Sequence, residues 1–247
     1  MKRIRMLIQY LGTNYAGWQV QPNRITVQGE IQKAIEQGLV EKVEIFGSGR
    51  TDAGVHAFGQ VAHFDTNTRI NASNIYAVIN RFLPKDIRIL STEQVDDNFH
   101  ARFSVKQKTY EYHFYCSEVN LPLLDITHAR VRFPFDFDKA LPACGVFVGT
   151  HDFKGFCGAN SKVKDTVRTI YSISLSSGVD NTYCLSVTGN GFLYNMVRII
   201  AGTIIEVGCG KIKAEDMESI LASGQRDNAG KTAQPCGLVL KEVNYQV

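Results

Sequence analysis

The alternation of apolar and polar residues constrains the fold most strongly, because it divides the chain into two halves with the same predicted order of elements. In the first half, residues 3–10 alternate as a strand. Thr26 is a typical N-cap, and it precedes a helical stripe of apolar residues that includes Val27 and Ile31. The remaining elements are strands at 43–47, 59–65 and 87–95, and a helix opened by Asn71 or Ser73 and stopped by Pro84. The predicted order is β-α-β-β-α-β.

The second half repeats this order with two irregular stretches. A helix is predicted from Asp138, although Pro142 weakens it, and residues 116–137 are expected to form an irregular linker. The other elements are strands at 105–115, 167–176, 182–189 and 237–244, and helices at 194–207 and 215–223. The chain is thus expected to contain two ferredoxin-like α/β halves, residues 1–102 and 103–247. We predict an α+β fold whose strands form a mixed, largely antiparallel central sheet with flanking helices.

The composition is that of a folded protein without a membrane segment. Of the 247 residues, 44% are hydrophobic and 21% are charged, which excludes disordered and collagen-like chains. No apolar run approaches the ~20 residues needed to cross a membrane. The N-terminus is basic and then apolar, but it lacks the long apolar region and the small-residue cleavage site of a signal peptide. The net charge of +3 is compatible with nucleic-acid binding but does not require it.

The six cysteines are scattered along the chain and form no CxxC pair, so their spacing argues against a zinc site. Because the chain shows no export signal, we expect these cysteines to be reduced thiols and the protein to be cytoplasmic. A disulfide framework is not expected at this size, since the hydrophobic core is sufficient.

The densest chemical signal is the glycine-rich segment FGSGRTDAGVHAFGQ, residues 46–60. Its glycines permit tight turns and close approach of another backbone, and Arg50, Asp52 and His56 lie among them. The residues alone leave three interpretations: a surface turn with a local Arg–Asp pair, a phosphate-binding loop, or a loop that carries a catalytic Asp52. The phosphate-binding interpretation is weak, because the GxxxxGK[ST] spacing is absent. His56 alone is more often structural than catalytic.

The string GRTDAGVHA resembles the active-site motif of the tRNA pseudouridine synthase A family of pseudouridine synthases. The resemblance extends over nearly the whole chain, through the segments YLGTNYAGWQVQPNRITVQGEIQKAI, FHARFSVKQKTYEYHFY, GNGFLYNMVRIIAGTIIEVGCGK and TAQPCGLVLKEV. Two residues depart from the family pattern: Gln234 stands where proline is common, and Val105 where a small residue is common. The resemblance implies the pseudouridine synthase fold.

The resemblance also implies a reaction and a set of site residues. Members of the family isomerise uridine to pseudouridine in the anticodon stem-loop of tRNA, typically at positions 38, 39 and 40, with no cofactor and no catalytic metal. By position, Asp52 matches the catalytic aspartate and Tyr110 the tyrosine that packs against the target base. The other matched positions in the substrate site are Arg50, Arg198 and Leu238. Whether Asp52 attacks the sugar, attacks the base or assists a glycal route is left open by the sequence.

Elementary chemistry agrees with these roles. A carboxylate can act as a nucleophile, as a base, or as a stabiliser of a sugar cation. Arg198 lies in a helix that is apolar nearly all round, so it is expected to be buried and to need an anionic partner. Tyr112 and Phe114 share a strand face with Tyr110 and are expected to belong to the core.

The partner implied by the resemblance is tRNA, bound by a homodimer. A paired target uridine must be extruded from its stem, and contacts to the RNA backbone must offset that cost. The candidate basic residues are Arg24, Arg102, Lys106, Lys108, Lys162, Lys164 and Arg168.

Two other functions fit parts of the pattern. A non-catalytic RNA-binding protein built from two RRM-like halves shares the element order, but the paired aromatics of RNP motifs are not found. A small-molecule enzyme with a phosphate-binding loop lacks the required glycine–lysine spacing.

Overall fold

The computed structural model of the chain describes residues 1–159 and 163–246. These residues form two compact units. The first unit contains Met1–Lys106 together with the residues from Leu240 onward, and the second contains Gln107–Val239. The predicted halves, residues 1–102 and 103–247, come from the order of elements along the chain. The two units instead group the residues that contact one another in space.

The first unit has three long strands, one very short strand and two helices. Its elements are β1 (Lys2–Tyr10), α1 (Val27–Leu39), β2 (Phe46–Gly47), β3 (His56–Thr66), α2 (Ile75–Ile79) and β4 (Ile87–Val95). Strand β1 pairs antiparallel with both β3 and β4, and β2 pairs with β3. Thr26 caps α1 by accepting a hydrogen bond from the Gly29 N–H, as the sequence predicts. The predicted second helix is shorter than expected, because Asn71 caps a single 3₁₀ turn at Ala72–Asn74 before α2 begins.

Strand β3 is buried on both faces, which is unusual for a strand of an antiparallel sheet. One face includes Phe64, which is fully buried. On the other face, His63 is only 1% exposed, because the rings of Phe46 and His100 lie against it at centroid distances of 5.1 and 4.8 Å. The first unit is therefore closed on both sides of this strand.

The second unit is built around an antiparallel sheet. Its elements are β5 (Gln107–Cys116), β6 (Ala129–Val131), α3 (Phe137–Gly145), β7 (Gly149–Asp152), β8 (Val167–Ser177), β9 (Thr182–Gly189), α4 (Met196–Gly208), α5 (Met217–Ser223) and β10 (Leu238–Asn244). The strand order is β5-β9-β8-β7, and β6 pairs parallel to β5. The boundary between the units falls within β10. The part of β10 from Leu240 onward belongs to the first unit, where β10 lies beside β3.

Aromatic packing holds the buried face of β5. Tyr112 and Phe114 are 0% and 1% exposed, as predicted for core positions. Phe114 stacks on Tyr183 of the neighbouring strand and meets Phe135 edge-on, with ring centroids 5.0 Å apart in each pair. Gly208 ends α4 against the Phe135 ring, where an added Cβ would lie only 2.2 Å from a ring carbon. The helix and the strand are thereby fixed against each other.

Three predictions for this half need correction. The predicted linker 116–137 contains β6, and β7 was not predicted because its short sequence GTHD is polar. Helix α3 begins at Phe137 rather than Asp138, since the Asp136 side chain accepts a hydrogen bond from the Lys139 N–H and acts as the N-cap. Pro142 lies inside this helix without ending it.

The described residues contain ten strands and five α-helices. Strand β5 pairs parallel with β6. The antiparallel pairs are β1 with β3 and β4, β2 with β3, β5 with β9, β7 with β8, and β8 with β9. This confirms the predicted α+β class with mostly antiparallel strands. Among the same residues, no helix combines the length and the apolar character that a membrane span requires.

Candidate active site

The glycine-rich segment forms a loop, Ser48–Val55, between β2 and β3. Its path depends on close backbone contacts with the segment that follows β1. A Cβ on Gly12 would lie 1.9 Å from the Val55 carbonyl oxygen, and a Cβ on Gly17 would lie 2.6 Å from the Thr51 carbonyl oxygen. Gly17 also has φ = +97°, a conformation that favours glycine. The carbonyl of Thr51 accepts a hydrogen bond from the Trp18 N–H at 3.0 Å. Two glycines outside the motif therefore set the position of the loop.

Buried polar side chains anchor the first part of the loop. The Tyr10 hydroxyl is hydrogen-bonded to Thr51 Oγ1 at 2.8 Å, and burial raises the pKa of Tyr10 to about 12. The Ser48 hydroxyl donates to Gln60 Oε1 at 2.6 Å, and Gln60 Nε2 donates to the Gly49 carbonyl at 3.0 Å. These donors and acceptors are removed from water, so leaving one without its partner would cost about 1–3 kcal/mol.

His56 anchors the other end of the loop. It is 3% exposed, and its Nδ1 accepts a hydrogen bond from the Gly12 N–H at 2.9 Å. An acceptor at Nδ1 places the ring proton of the neutral imidazole on Nε2. His56 therefore supports the loop, in agreement with the structural role expected for an isolated histidine.

Asp52 lies at the tip of this anchored loop. The Asp52 carbonyl accepts a hydrogen bond from the Val55 N–H at 3.2 Å, which closes a turn that Gly54 completes with φ = +78°. The Asp52 side chain is partly exposed, and Arg50 on the same loop is exposed. A carboxylate held this way is accessible to a substrate, while its backbone has little freedom to move. Such a group can act as a nucleophile or a base.

Tyr110 lies on β5 of the second unit. It is 9% exposed, and its ring meets Phe192 edge-on at a centroid distance of 5.2 Å and an interplanar angle of 85°. Its Cα is paired with that of Val187 on β9. The strand register and the Phe192 ring thus orient the tyrosine, as a ring that receives a base requires.

Arg198 lies in the first turn of α4, which is mostly buried, as predicted. The prediction that Arg198 itself is buried is wrong, because the residue is partly exposed near the start of the helix. Its Nε donates to the Ala233 carbonyl and a terminal nitrogen donates to Asn195 Oδ1, both at 2.8 Å. Asn195 caps the helix with φ = +61°. These two bonds go to neutral oxygens and hold the guanidinium against the chain segment that contains Ala233.

The same segment leads to Leu238, which is 7% exposed at the start of β10. The Tyr112 hydroxyl donates to the Gln234 carbonyl at 3.0 Å. A Cβ on Gly237 would lie 2.4 Å from the His113 carbonyl oxygen, so only glycine fits between the segment and β5. Arg198 and Tyr112 therefore both hold this segment in place. Because Tyr112 bonds to the backbone carbonyl of Gln234, this bond does not involve the Gln234 side chain.

The predicted RNA-contacting residues are distributed over both units. Arg24, Arg102 and Lys106 are exposed in the first unit, and Lys164 is exposed in the second. Lys108 and Arg168 are partly exposed. The Arg168 guanidinium donates to the carbonyls of Asp165 and Val167. Lys162 lies outside the described residues. All six described residues have solvent-accessible surface, as a phosphate contact requires.

Sequence reasoning missed the residues that support the loop. Tyr10, Thr51 and Gln60 were not singled out, because each looks like an ordinary strand or loop residue. A signal was nevertheless available in Gln60, a polar residue in the middle of the otherwise apolar strand segment AFGQVAHF. A buried polar residue at such a position needs a partner.

Comparison with known proteins supports the resemblance noted in the sequence. Residues 6–104 and 143–246 match the family model described as tRNA pseudouridine synthase. The chain is 48% identical over 249 residues to the tRNA pseudouridine synthase A of Brevibacillus brevis, covering 99% of this chain and 100% of that protein. The enzymes of the same name from Bacillus pumilus and Acetivibrio thermocellus are 46% and 45% identical, with at least 98% of each chain covered.

One matching solved structure is more distant. A Cbf5-Nop10-Gar1 complex matches with a TM-score of 0.36 and 14% identity, covering 81% of this chain and 54% of that one. At this level the structural likeness adds no argument, whereas the family model and the full-length relatives agree. The chain therefore belongs to the tRNA pseudouridine synthase family of isomerases.

Proposed function

We propose that this protein converts uridine to pseudouridine in the anticodon stem-loop of tRNA, at positions 38, 39 and 40, with Asp52 as the catalytic carboxylate. Arg50, Tyr110, Arg198 and Leu238 contribute to substrate binding in this proposal. The related enzymes named tRNA pseudouridine synthase A support the tRNA substrate.

The observation that carries the role of Asp52 is the construction of its loop. The carboxylate is partly exposed, yet the backbone beside it is tied to Tyr10 through Thr51 and to Gln60 through Ser48 and Gly49. A surface turn needs no such buried support. Catalysis does, because a reacting group must be held close to its productive geometry.

The chemistry demands a carboxylate and a closed environment for the base. The bond between the sugar and uracil N1 breaks, the base rotates, and a new bond forms from uracil C5 to the same sugar carbon. The proton on C5 is lost and N1 gains one, so atoms balance and no cofactor is consumed. Asp52 serves this reaction as nucleophile, base or cation stabiliser.

The target base must leave its stem before it can react. Extrusion costs a few kcal/mol, and stacking on an aromatic ring returns about 1–3 kcal/mol per base. Tyr110, oriented by Phe192, provides such a ring. Contacts from Arg24, Arg102, Lys106, Lys108 and Arg168 to phosphates supply the remainder in this proposal.

The decisive experiment compares Asp52→Asn with Asp52→Ala. Both variants are expected to fold and to bind tRNA within about tenfold of the unchanged protein, or ~1.4 kcal/mol. Turnover, followed as tritium release from C5 of labelled uridine in tRNA, is expected to fall to background. Mapping of pseudouridine in the same tRNA checks positions 38, 39 and 40.

Glu44→Gln is the matched control, because Glu44 is an exposed carboxylate of the same unit just before β2. It should leave turnover unchanged. Appreciable turnover by folded Asp52→Ala protein would remove Asp52 from the catalytic role. Modification confined to uridines outside the anticodon stem-loop would instead contradict the proposed target.

The proposal includes a cytoplasmic homodimer that binds tRNA. Sedimentation of the purified chain measures its mass in solution, and we expect twice the 27.5 kDa mass of one chain. A monomer at the concentrations used for turnover would contradict the dimer without affecting the role of Asp52.

A further inference from the structure

The polar face of the second unit's sheet brings together three metal-binding types of side chain. Glu111 and His113 are two residues apart on β5, so they point to the same face. Cys184 on β9 lies directly across from His113 in the antiparallel register. One ligand atom from each residue, a carboxylate oxygen, an imidazole nitrogen and the thiol sulfur, lies within 4.8 Å of the other two. The register of two strands thus creates a convergent donor set.

The spacing of these donors is close to that around one metal ion. With Zn–N near 2.0–2.1 Å, Zn–O near 2.0–2.2 Å and Zn–S near 2.3 Å, the donors of a tetrahedral site are separated by roughly 3.3–3.7 Å. His113 Nε2 and Glu111 Oε2 are 3.2 Å apart. All three donor atoms lie within 4.8 Å of one another, so a small adjustment of the Cys184 side chain brings its sulfur to the spacing of a tetrahedral site.

The surroundings suit a bound cation. The Glu111 and His113 side chains are 18% and 21% exposed, so they are accessible but largely removed from water. Ser186 is paired with Glu111, and Ser176 on β8 is paired with Cys184, which continues a polar surface across three strands. The His128 ring lies near the His113 ring, with centroids 5.2 Å apart.

We propose that Glu111, His113 and Cys184 bind one divalent transition-metal ion, and that Zn²⁺ fits the oxygen, nitrogen and sulfur donors best. On binding, the Cys184 thiol releases its proton to solvent and the thiolate forms the metal–sulfur bond. The two negative ligands then balance the charge of the ion. The fourth position is open to water.

This site is separate from the proposed contact with the target base. Tyr110 lies on the opposite face of β5 from Glu111 and His113. The ion would cross-link β5 to β9 and stabilise the folded chain, because it binds a site that the unfolded chain lacks.

The test uses Co²⁺ as a spectroscopic probe in place of Zn²⁺. The reduced, chelator-treated full chain is titrated with Co²⁺, and the near-ultraviolet thiolate-to-Co²⁺ charge-transfer absorption is followed. We expect one Co²⁺ per chain, displacement by Zn²⁺, and a Zn²⁺-dependent rise in melting temperature. Cys184→Ser should abolish the absorption, and His113→Gln and Glu111→Gln should each weaken binding at least about tenfold, or ~1.4 kcal/mol.

Cys116→Ser is the matched control, because Cys116 lies on the same strand but on the face opposite to Glu111 and His113. It should retain the absorption and the affinity. Circular dichroism and melting of the metal-free variants show whether each one is folded. The absence of the charge-transfer absorption in the unchanged protein, or its persistence in Cys184→Ser, would overturn the proposal.

Discussion

The loop Ser48–Val55 and the strand β5 present functional side chains in two different ways. The loop has no regular hydrogen-bonding pattern of its own, so buried side chains such as Tyr10 and Gln60 and the close approach of Gly12 hold it in place. In strand β5 the ladder with β9 sets the direction of each side chain, and ring contacts such as Phe114 with Tyr183 add to it. A loop therefore depends on contacts from distant residues, whereas a strand separates side chains by alternation alone.

Strands β3 and β5 also differ in how far their histidine side chains are exposed. His63 on β3 is enclosed by aromatic rings at 1% exposure, while His113 on β5 lies on a polar face at 21%. The enclosed histidine contributes to stability, and the accessible one is available to a ligand. Each difference leads to a measurement.

The largest effect expected from the removal of a single hydroxyl is on turnover, in Tyr110→Phe. This change keeps the ring and its contact with Phe192 but removes the hydroxyl. If the hydroxyl carries the proton that leaves C5, turnover falls by ~10²–10⁴ with tRNA binding retained. If the ring serves only to stack on the base, turnover changes little. The free energy of unfolding should change little, since strand register positions the side chain. Unchanged turnover would limit Tyr110 to stacking.

Gly12→Ala tests the dependence of the loop on backbone contact. The new Cβ would lie 1.9 Å from the Val55 carbonyl oxygen, which no side-chain rotation can relieve. We expect the free energy of unfolding to fall by about 3 kcal/mol or more, with loss of turnover. Gly145→Ala is the control, because nothing lies within 4 Å of the added Cβ. Equal urea-denaturation midpoints for the two variants would contradict the proposed support.

The enclosure of His63 predicts a pH dependence of stability. Burial, together with His100 and Arg3, lowers the pKa of His63 from 6.5 to about 4, although Asp65 opposes the shift. Its Nδ1 accepts a hydrogen bond from the Ala101 N–H at 3.2 Å, which protonation would break. The unfolded chain binds the proton more readily, so the contribution is present above pH 6.5 and is lost as the pH falls toward 4. The full difference is about 3 kcal/mol.

Urea denaturation across this range measures the effect. His63→Gln removes the titrating group, and the fall in unfolding free energy between pH 6.5 and 4 should be smaller in this variant. A pH profile that is identical in the variant and the unchanged protein would show that His63 is not enclosed as described.

Tyr10→Phe should have the smallest effect. It removes the hydroxyl that is hydrogen-bonded to Thr51 Oγ1 and leaves that buried oxygen without this partner. We expect a loss of about 1 kcal/mol in the free energy of unfolding, and a smaller loss of turnover than in Gly12→Ala. Tyr76→Phe is the control, because Tyr76 is 37% exposed. If both tyrosine variants denature alike, the Tyr10 hydroxyl does not stabilise the loop.

Local sequence determined much of the fold and the identity of the main site residues. Thr26 marks the start of α1, and alternation assigns Tyr112 and Phe114 to the core, because capping and strand periodicity depend on neighbouring residues. Asp52 stands out for the same reason, since the motif around it is one continuous string. The predicted boundaries differ where β2 has only two residues and where Asp136 caps α3.

Only the tertiary structure decided which distant residues meet. Gln60 supports the loop by accepting a hydrogen bond from the Ser48 side chain. Cys184 faces His113 because the antiparallel register of β5 and β9 places them side by side. Cysteine spacing could not reveal the second pair, since the two residues lie on strands separated by β6, α3, β7 and β8. Register is set by packing over the whole sheet rather than by neighbours in the chain. The sequence therefore determined the loop that carries Asp52 and the alternation of core residues, and the fold determined the support of that loop and the polar donor set.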